Sequence, residues 1–143
     1  MEIERKFTIT QLPELAGVKY HEIEQAYLNT EPVMRIRKQD DDYYFTYKSS
    51  GLMAREEYNL AIDKKSFEHL IKKADGRIIK KTRYLIPYES YTIELDIFEG
   101  ELAPLIIAEV EFASEEEAEK FVGPDWFDKD VTSDPRYHNS NMI

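Results

Sequence analysis

No cysteine occurs in the 143 residues, which removes disulfides, thiolate nucleophiles and zinc–thiolate centres and is compatible with a reducing cytosol. No apolar run approaches about 18 residues, and no basic segment leads into an apolar one, so neither a membrane span nor a secretory signal is expected. Positive charge is also in short supply. Nineteen Lys and Arg stand against 29 Asp and Glu, leaving a net charge of −10. That balance argues against a nucleic-acid surface, and it means that any polyanionic ligand needs a local basic lining. The expectation is a cytoplasmic protein with no nucleic-acid or membrane partner. What is present, 42% hydrophobic and 13% aromatic residues, suffices for one core. Residues 1–143 are therefore read as a single domain.

The first strand organises the chain. In Glu2-Ile3-Glu4-Arg5-Lys6-Phe7, the period of two places Glu2, Glu4 and Lys6 on one face and Ile3 and Phe7 on the other. The two carboxylates lie roughly 6.7 Å apart, and at an effective dielectric of about 20 their repulsion is about 2.5 kcal/mol. If that face is enclosed, something must offset it.

Strand patterns continue at His21–Asn29, Val33–Lys38, Tyr43–Lys48, Arg55–Leu60, Ile78–Ile86, Tyr91–Ile97 and Leu105–Phe112. A brief helical turn is expected near 12–17. Asp63 is a plausible N-cap for a helix over Lys64–Ala74, with Phe67, Leu70 and Ile71 on one face and Gly76 following its end. Ser114 with Glu117 makes a capping-box pattern for a second helix, Glu115–Val122, stopped by Gly123-Pro124. The polar tail, 128–139, carries turn signals without a readable period. His21, His69 and His138 show no metal-ligand spacing, and the tyrosines of the strands suit sheet packing. About eight strands and two helices predict an α+β, mainly β, fold: an antiparallel sheet or barrel with helices packed outside.

The strand charges are sorted by sign. Glu2/Glu4, Glu94/Asp96 and Glu109/Glu111 repeat acid-x-acid; Arg35/Arg37 and Lys81/Arg83 repeat base-x-base, with Lys48 beside them. Two explanations are open. The faces could form cross-strand ion pairs in solvent, each worth about 0–1 kcal/mol. Alternatively they line the lumen of a closed barrel, where an acidic wall suits Mg²⁺ or Mn²⁺ and a basic wall suits polyphosphate oxygens.

These pieces resemble, in order, the CYTH or triphosphate tunnel metalloenzyme superfamily. The E-x-E-x-K signature is Glu2-Ile3-Glu4-Arg5-Lys6, the R-x-R strand is Arg35-Ile36-Arg37, and Lys48 ends the next strand. Arg55-Glu56-Glu57, Lys81-Thr82-Arg83, Glu94-Leu95-Asp96 and Glu109-Val110-Glu111 follow, and Asp130–Asn139 looks like the family's C-terminal segment. The resemblance implies an eight-stranded antiparallel closed β-barrel, a tunnel open to solvent, binding a linear triphosphate with one or two divalent cations. It implies metal ligands among Glu2, Glu4, Glu94, Asp96, Glu109 and Glu111. Phosphate would be held by Lys6, Arg35, Arg37, Lys48, Arg55, Lys81 and Arg83. Lys6, Glu4 and Glu111 would be the catalytic groups, with water rather than a side chain as nucleophile. The expected activity is hydrolysis of a linear triphosphate, foremost inorganic tripolyphosphate, by a monomer or homodimer. Class IV adenylate cyclase, nucleoside or thiamine triphosphatase, and a non-catalytic polyphosphate sensor are the alternatives.

Overall fold

Alternation of ionic and apolar side chains builds a strongly curved sheet in the computed structural model, which describes residues 1–51 and 53–143. Its strands are β1 (Glu2–Ile9), β2 (Tyr20–Thr30), β3 (Val33–Gln39), β4 (Asp42–Lys48), β5 (Ala54–Arg55) and β6 (Glu57–Ala61), then β7 (Asp75–Tyr88), β8 (Tyr91–Phe98), β9 (Ile106–Glu111) and β10 (Phe127–Asp130). Two helices accompany them, α1 (Lys64–Leu70) and α2 (Glu115–Lys120). The order across the sheet is β10-β1-β9-β8-β7-β2-β3-β4-β6, and β5 returns to β1. All pairings are antiparallel.

The ring nearly closes at β5. Glu2 pairs with Arg55 and Ile3 with Ala54, while β6, one residue further on, lies against β4 from Lys48↔Glu57 to Tyr44↔Ala61. β5 and β6 are thus one stave broken at Glu56. The eight expected staves are present; the count of ten comes from this break and from β10, which pairs with β1 opposite Phe7 and Ile9. A four-residue strand in a polar tail carries no apolar period to reveal it.

Both helices sit outside, as expected. α1 inserts Phe67 onto Ala26 and Ile36 of β2 and β3. α2 adds Ala118 to a cluster of Ile93, Leu95, Ala108, Val110, Phe112 and Phe121 on the outer face of β8 and β9. Deleting an aromatic such as Phe121 from that cluster would remove about 3–5 kcal/mol.

The ends of several elements differ from the sequence expectation. Asp63 Oδ1 caps α1 by accepting the Ser66 N–H at 2.6 Å, but the helix stops at Leu70 and tightens into a 3₁₀ turn over Ile71–Lys73. Gly76 is not a helix cap: it lies inside β7 at φ +66°, where a Cβ would come within 2.9 Å of Ile143. α2 ends at Lys120 and its capping box is half made, because Ser114 Oγ accepts the Glu117 N–H while the Glu117 carboxylate accepts from Tyr91. Residues 12–17 form a turn without a helix.

Inside the barrel, each strand passes from apolar to ionic with its period of two. Phe98 gives way to Asp96 and Glu94 on β8, Ile107 to Glu109 and Glu111 on β9, Ile79 to Lys81 and Arg83 on β7. The apolar residues gather with Tyr27, Val33 and Met142 into one buried cluster. Met142 belongs to the tail, which therefore floors the lumen on that side.

Candidate active site

Enclosure decides between the two explanations of the sorted charges. Glu2, Glu4, Lys6, Arg35, Lys48, Lys81, Arg83, Asp96 and Glu109 are all buried, so the charged faces are not a solvated surface. Every residue singled out from the sequence except Asp96 lines a single cavity of about 210 Å³. The lining holds six carboxylates and seven Lys or Arg side chains, a local balance far from the −10 of the whole chain. This is the basic lining that a polyanion requires.

Register brings opposite charges into contact. Lys6 faces Glu109 across β1 and β9, with Nζ 3.1 Å from Oε1. Lys48 reaches Glu2 at 3.0 Å and Glu57 at 3.2 Å, and Arg55 reaches Glu2 at 3.4 Å. Asp96 lies behind the lining, held by Lys81 at 2.7 Å and by the Arg83 fork at 2.7 and 2.9 Å. Arg83 also touches Glu94 and Glu109.

Arg35 and Arg37 are the exceptions. Among the described residues no carboxylate lies within ion-pair distance of either. Arg37 donates only to the neutral Gln25 Oε1, at 3.0 Å from Nε and 2.6 Å from Nη2. Arg35 has one long contact, 3.5 Å to Thr46 Oγ1, and its Nε is buried without a hydrogen-bond partner. Burial, with the like charges of Arg35 and Arg83, lowers Arg37 to about 9. A guanidinium pair drawn into the lumen without counter-ions, Arg35 buried and Arg37 half-buried, is unfavourable unless an anion joins it.

The carboxylates diverge in the same way. Burial raises Glu4, and the like charge of Glu109 adds to it. Glu109 itself resists burial and sits well below its ordinary value because Lys6, Arg83 and Lys81 surround it. Glu111, exposed at the mouth and without a basic partner among the described residues, is pushed up to about 7, by partial loss of hydration first and then by Glu2, Glu57, Glu94 and Glu4. Burial also lowers Lys81 to about 7 against the pull of Asp96, with Arg83 and Arg37 adding to the fall.

The donor set fits a hard divalent cation in chemistry, since Glu2, Glu4, Glu94, Glu109 and Glu111 offer only carboxylate oxygens to one cavity. It does not form a gathered cage: among the described residues, no three acidic or His side chains already meet at one point. Most of these acids are engaged by lysine or arginine. A cation would compete with those partners and release them toward an anionic ligand.

Several lining residues escape a reading based on charge alone. Glu57 and Asn59 share the inner face of β6 with Lys48's side of the barrel, and the one signal for Glu57 is that it alternates with Arg55. Asn139, from the tail, is neutral, as is Gln25, which is wholly buried behind the lining. His138, expected at the surface or in packing, is buried and bonds the Thr132 carbonyl at 2.8 Å.

A family model for the CYTH domain matches residues 1–136. The chain is 43% identical to an inorganic triphosphatase of Nitrosomonas europaea, covering 99% of this chain and 95% of that protein. It is 37% identical to an inorganic triphosphatase of Acetivibrio thermocellus, covering 99% and 92%. A crystal structure of an inorganic triphosphatase superposes with a TM-score of 0.73 at 38% identity, covering 99% of this chain and 93% of that one. No helix among the described residues is long and apolar enough to cross a membrane. An N-terminal E-x-E-x-K strand, an enclosed lumen with sorted charges and a match over nearly the full length agree: the chain belongs to the CYTH domain family, a membership that implies a divalent-metal requirement.

Proposed function

We propose that this protein hydrolyses inorganic triphosphate with Mg²⁺ or Mn²⁺. The observation that carries the proposal is the pair of buried Arg35 and half-buried Arg37, two cations in one cavity with no carboxylate in ion-pair distance among the described residues. A chain of phosphates supplies the missing charge, and a guanidinium fork suits its oxygens. Both relatives from Nitrosomonas europaea and Acetivibrio thermocellus are inorganic triphosphatases, in keeping with this.

Arg35, Arg37, Lys81 and Arg83 hold the phosphates, with Lys6, Lys48 and Arg55 joining as their carboxylate partners turn to the metal. Glu2, Glu4, Glu109 and Glu111 are the metal-holding set, and Glu94 stands beside them. Asp96, outside the cavity lining and saturated by Lys81 and Arg83, orders those two cations instead. When bound, the divalent cation neutralises phosphate charge and lowers the pKa of water. Lys6 Nζ presents donors to the water or to the departing phosphate, and Glu111, at the mouth with no Lys or Arg in ion-pair distance among the described residues, is the carboxylate left to accept the proton of the water. The cationic wall stabilises the charge that gathers on the leaving oxygen.

The cavity, at about 210 Å³, is smaller than the roughly 300–1,000 Å³ of sites for drug-sized molecules. Tyr27 is the single aromatic side chain in its lining among the described residues. Both features favour an inorganic substrate over a nucleotide or thiamine ester. Phosphate release from tripolyphosphate, ATP and thiamine triphosphate, each with Mg²⁺, Mn²⁺ or neither, tests the proposal. Metal-dependent release fastest from tripolyphosphate and abolished in Glu4→Gln is the expected result. Cyclic AMP and pyrophosphate from ATP would overturn it, as would binding without turnover.

A further inference from the structure

Two neutral amides connect the cations on the floor side of the cavity. Gln25 on β2 is wholly buried, and Asn139 enters the lumen from the tail. Arg37 donates to Gln25 Oε1 from Nε and Nη2, Gln25 Nε2 donates to Asn139 Oδ1 at 3.0 Å, and Lys81 Nζ donates to the same oxygen at 3.0 Å. The amide orientations are forced. Arginine and lysine can only donate, so an oxygen must face each of them, and the Gln25 amino group is left to meet Asn139.

Elsewhere in the barrel the acceptor facing a base is a carboxylate, as in Lys6–Glu109, Lys48–Glu2 and Arg83–Asp96. At Asn139 a carboxylate of the same size would accept both bonds equally well, at Gln25 it would still accept from Arg37, and either would also cancel the charge. From this geometry we infer that Gln25 and Asn139 are positioning residues for the phosphate site: they fix Arg37 through a neutral acceptor, so that its charge stays uncancelled for the triphosphate, and they hold Lys81, already paired with Asp96, without adding a second negative charge. The tail thereby becomes part of substrate recognition and is more than a cover for the lumen. The inference rests on the proposed triphosphatase function.

Asn139→Asp separates the charge from the geometry. Both bonds at Asn139 Oδ1 are accepted bonds, so an aspartate keeps them and adds only a negative charge. Like charges placed together at a recognition site are strongly unfavourable, and the expected result is a KM for tripolyphosphate raised about tenfold or more. kcat should stay within about threefold, and the melting temperature should be unchanged or higher. Calorimetric binding of tripolyphosphate to the metal-free protein should weaken in parallel. Gln25→Glu, which places the added charge against Arg37 and gives up the bond that Nε2 donates to Asn139, provides the second variant and should shift KM in the same direction. Asn139→Ala, which leaves Lys81 to Asp96 alone and Gln25 Nε2 without its acceptor, should instead lower both kcat and binding.

KM and binding within twofold of the wild type in both acidic variants would overturn the inference, because a purely structural amide tolerates the added charge. A lowered melting temperature with unchanged KM would overturn it too. A wild-type protein that neither binds nor hydrolyses tripolyphosphate would instead overturn the proposed function, and the positioning role with it.

Discussion

Lys81 Nζ lies 2.7 Å from Asp96 Oδ2 with the two side chains 1% and 0% exposed, so an ion pair is sealed inside the barrel wall. Arg83 shares the same carboxylate through two further contacts. One acid therefore serves two cations. Removing it leaves both without their principal partner, and Asp96→Asn is expected to destabilise the protein by about 3–5 kcal/mol, read by urea unfolding. Its metal affinity should change far less than that of Glu109→Gln, because Asp96 is not in the cavity lining. Equal losses of metal binding in the two variants would restore Asp96 as a ligand.

Arg37 predicts the opposite balance. It is half-buried beside Arg35 and has only neutral partners among the described residues, so replacing it with methionine removes an uncompensated charge while keeping the bulk. Arg37→Met should melt at the same temperature as the wild type or higher, yet bind tripolyphosphate about 30-fold or more weakly, the scale of losing a desolvated charged contact. Calorimetry beside a thermal melt checks both halves.

Acid should loosen the tail through Asp130. Burial alone would raise its carboxyl, but hydrogen bonds from Thr132 and Arg5 hold it below its ordinary value of 3.8. The folded state thus favours the ionised form. That contribution is fully present above about pH 4 and is lost as the pH falls through the depressed folded value. Asp130→Asn should therefore melt below the wild type at pH 7, and the gap should close toward pH 3. A gap independent of pH would refute the assignment.

Gly76 offers a check on the seat of the tail. At φ +66° and against Ile143, a methyl group meets both backbone strain and a contact of 2.9 Å. Gly76→Ala should cost more than about 1 kcal/mol. In the variant, amide exchange should quicken over the tail.

Much of this molecule can be read from alternation. Glu2/Glu4, Arg35/Arg37, Lys81/Arg83 and Glu109/Glu111 each fall on one face by a period of two, and that face proved to be the inside. Which base meets which acid cannot be read that way, because cross-strand register depends on irregularities such as those around Tyr27, where β2 slips against both β3 and β7. Asp96 illustrates the limit. Its sequence pattern equals that of Glu94, but a shorter side chain opposite Arg83 draws it behind the lining while Glu94 remains in it. Gln25 and Asn139 bear no charge to sort, and Asn139 sits in a tail whose two short 3₁₀ turns have no period.

The position of β1 in the ring governs the order in which the protein can be completed. One edge of this strand joins β9, and the other is shared by β5, Thr132 and β10, so partners for residues 2–9 come from as far along the chain as Asp130 and Thr132. Glu4 and Lys6 meet Glu111 and Glu109 only after more than a hundred intervening residues have been made. Contacts of such separation form slowly. During synthesis on the ribosome, β1 emerges ahead of the strands it pairs with and is thus among the last of them to find its neighbours, and its acidic face stays hydrated until β9 arrives. The lumen then takes shape late and nearly all at once, so a nascent chain interrupted before Ile106 would carry most of the charged residues and no closed ring in which to use them.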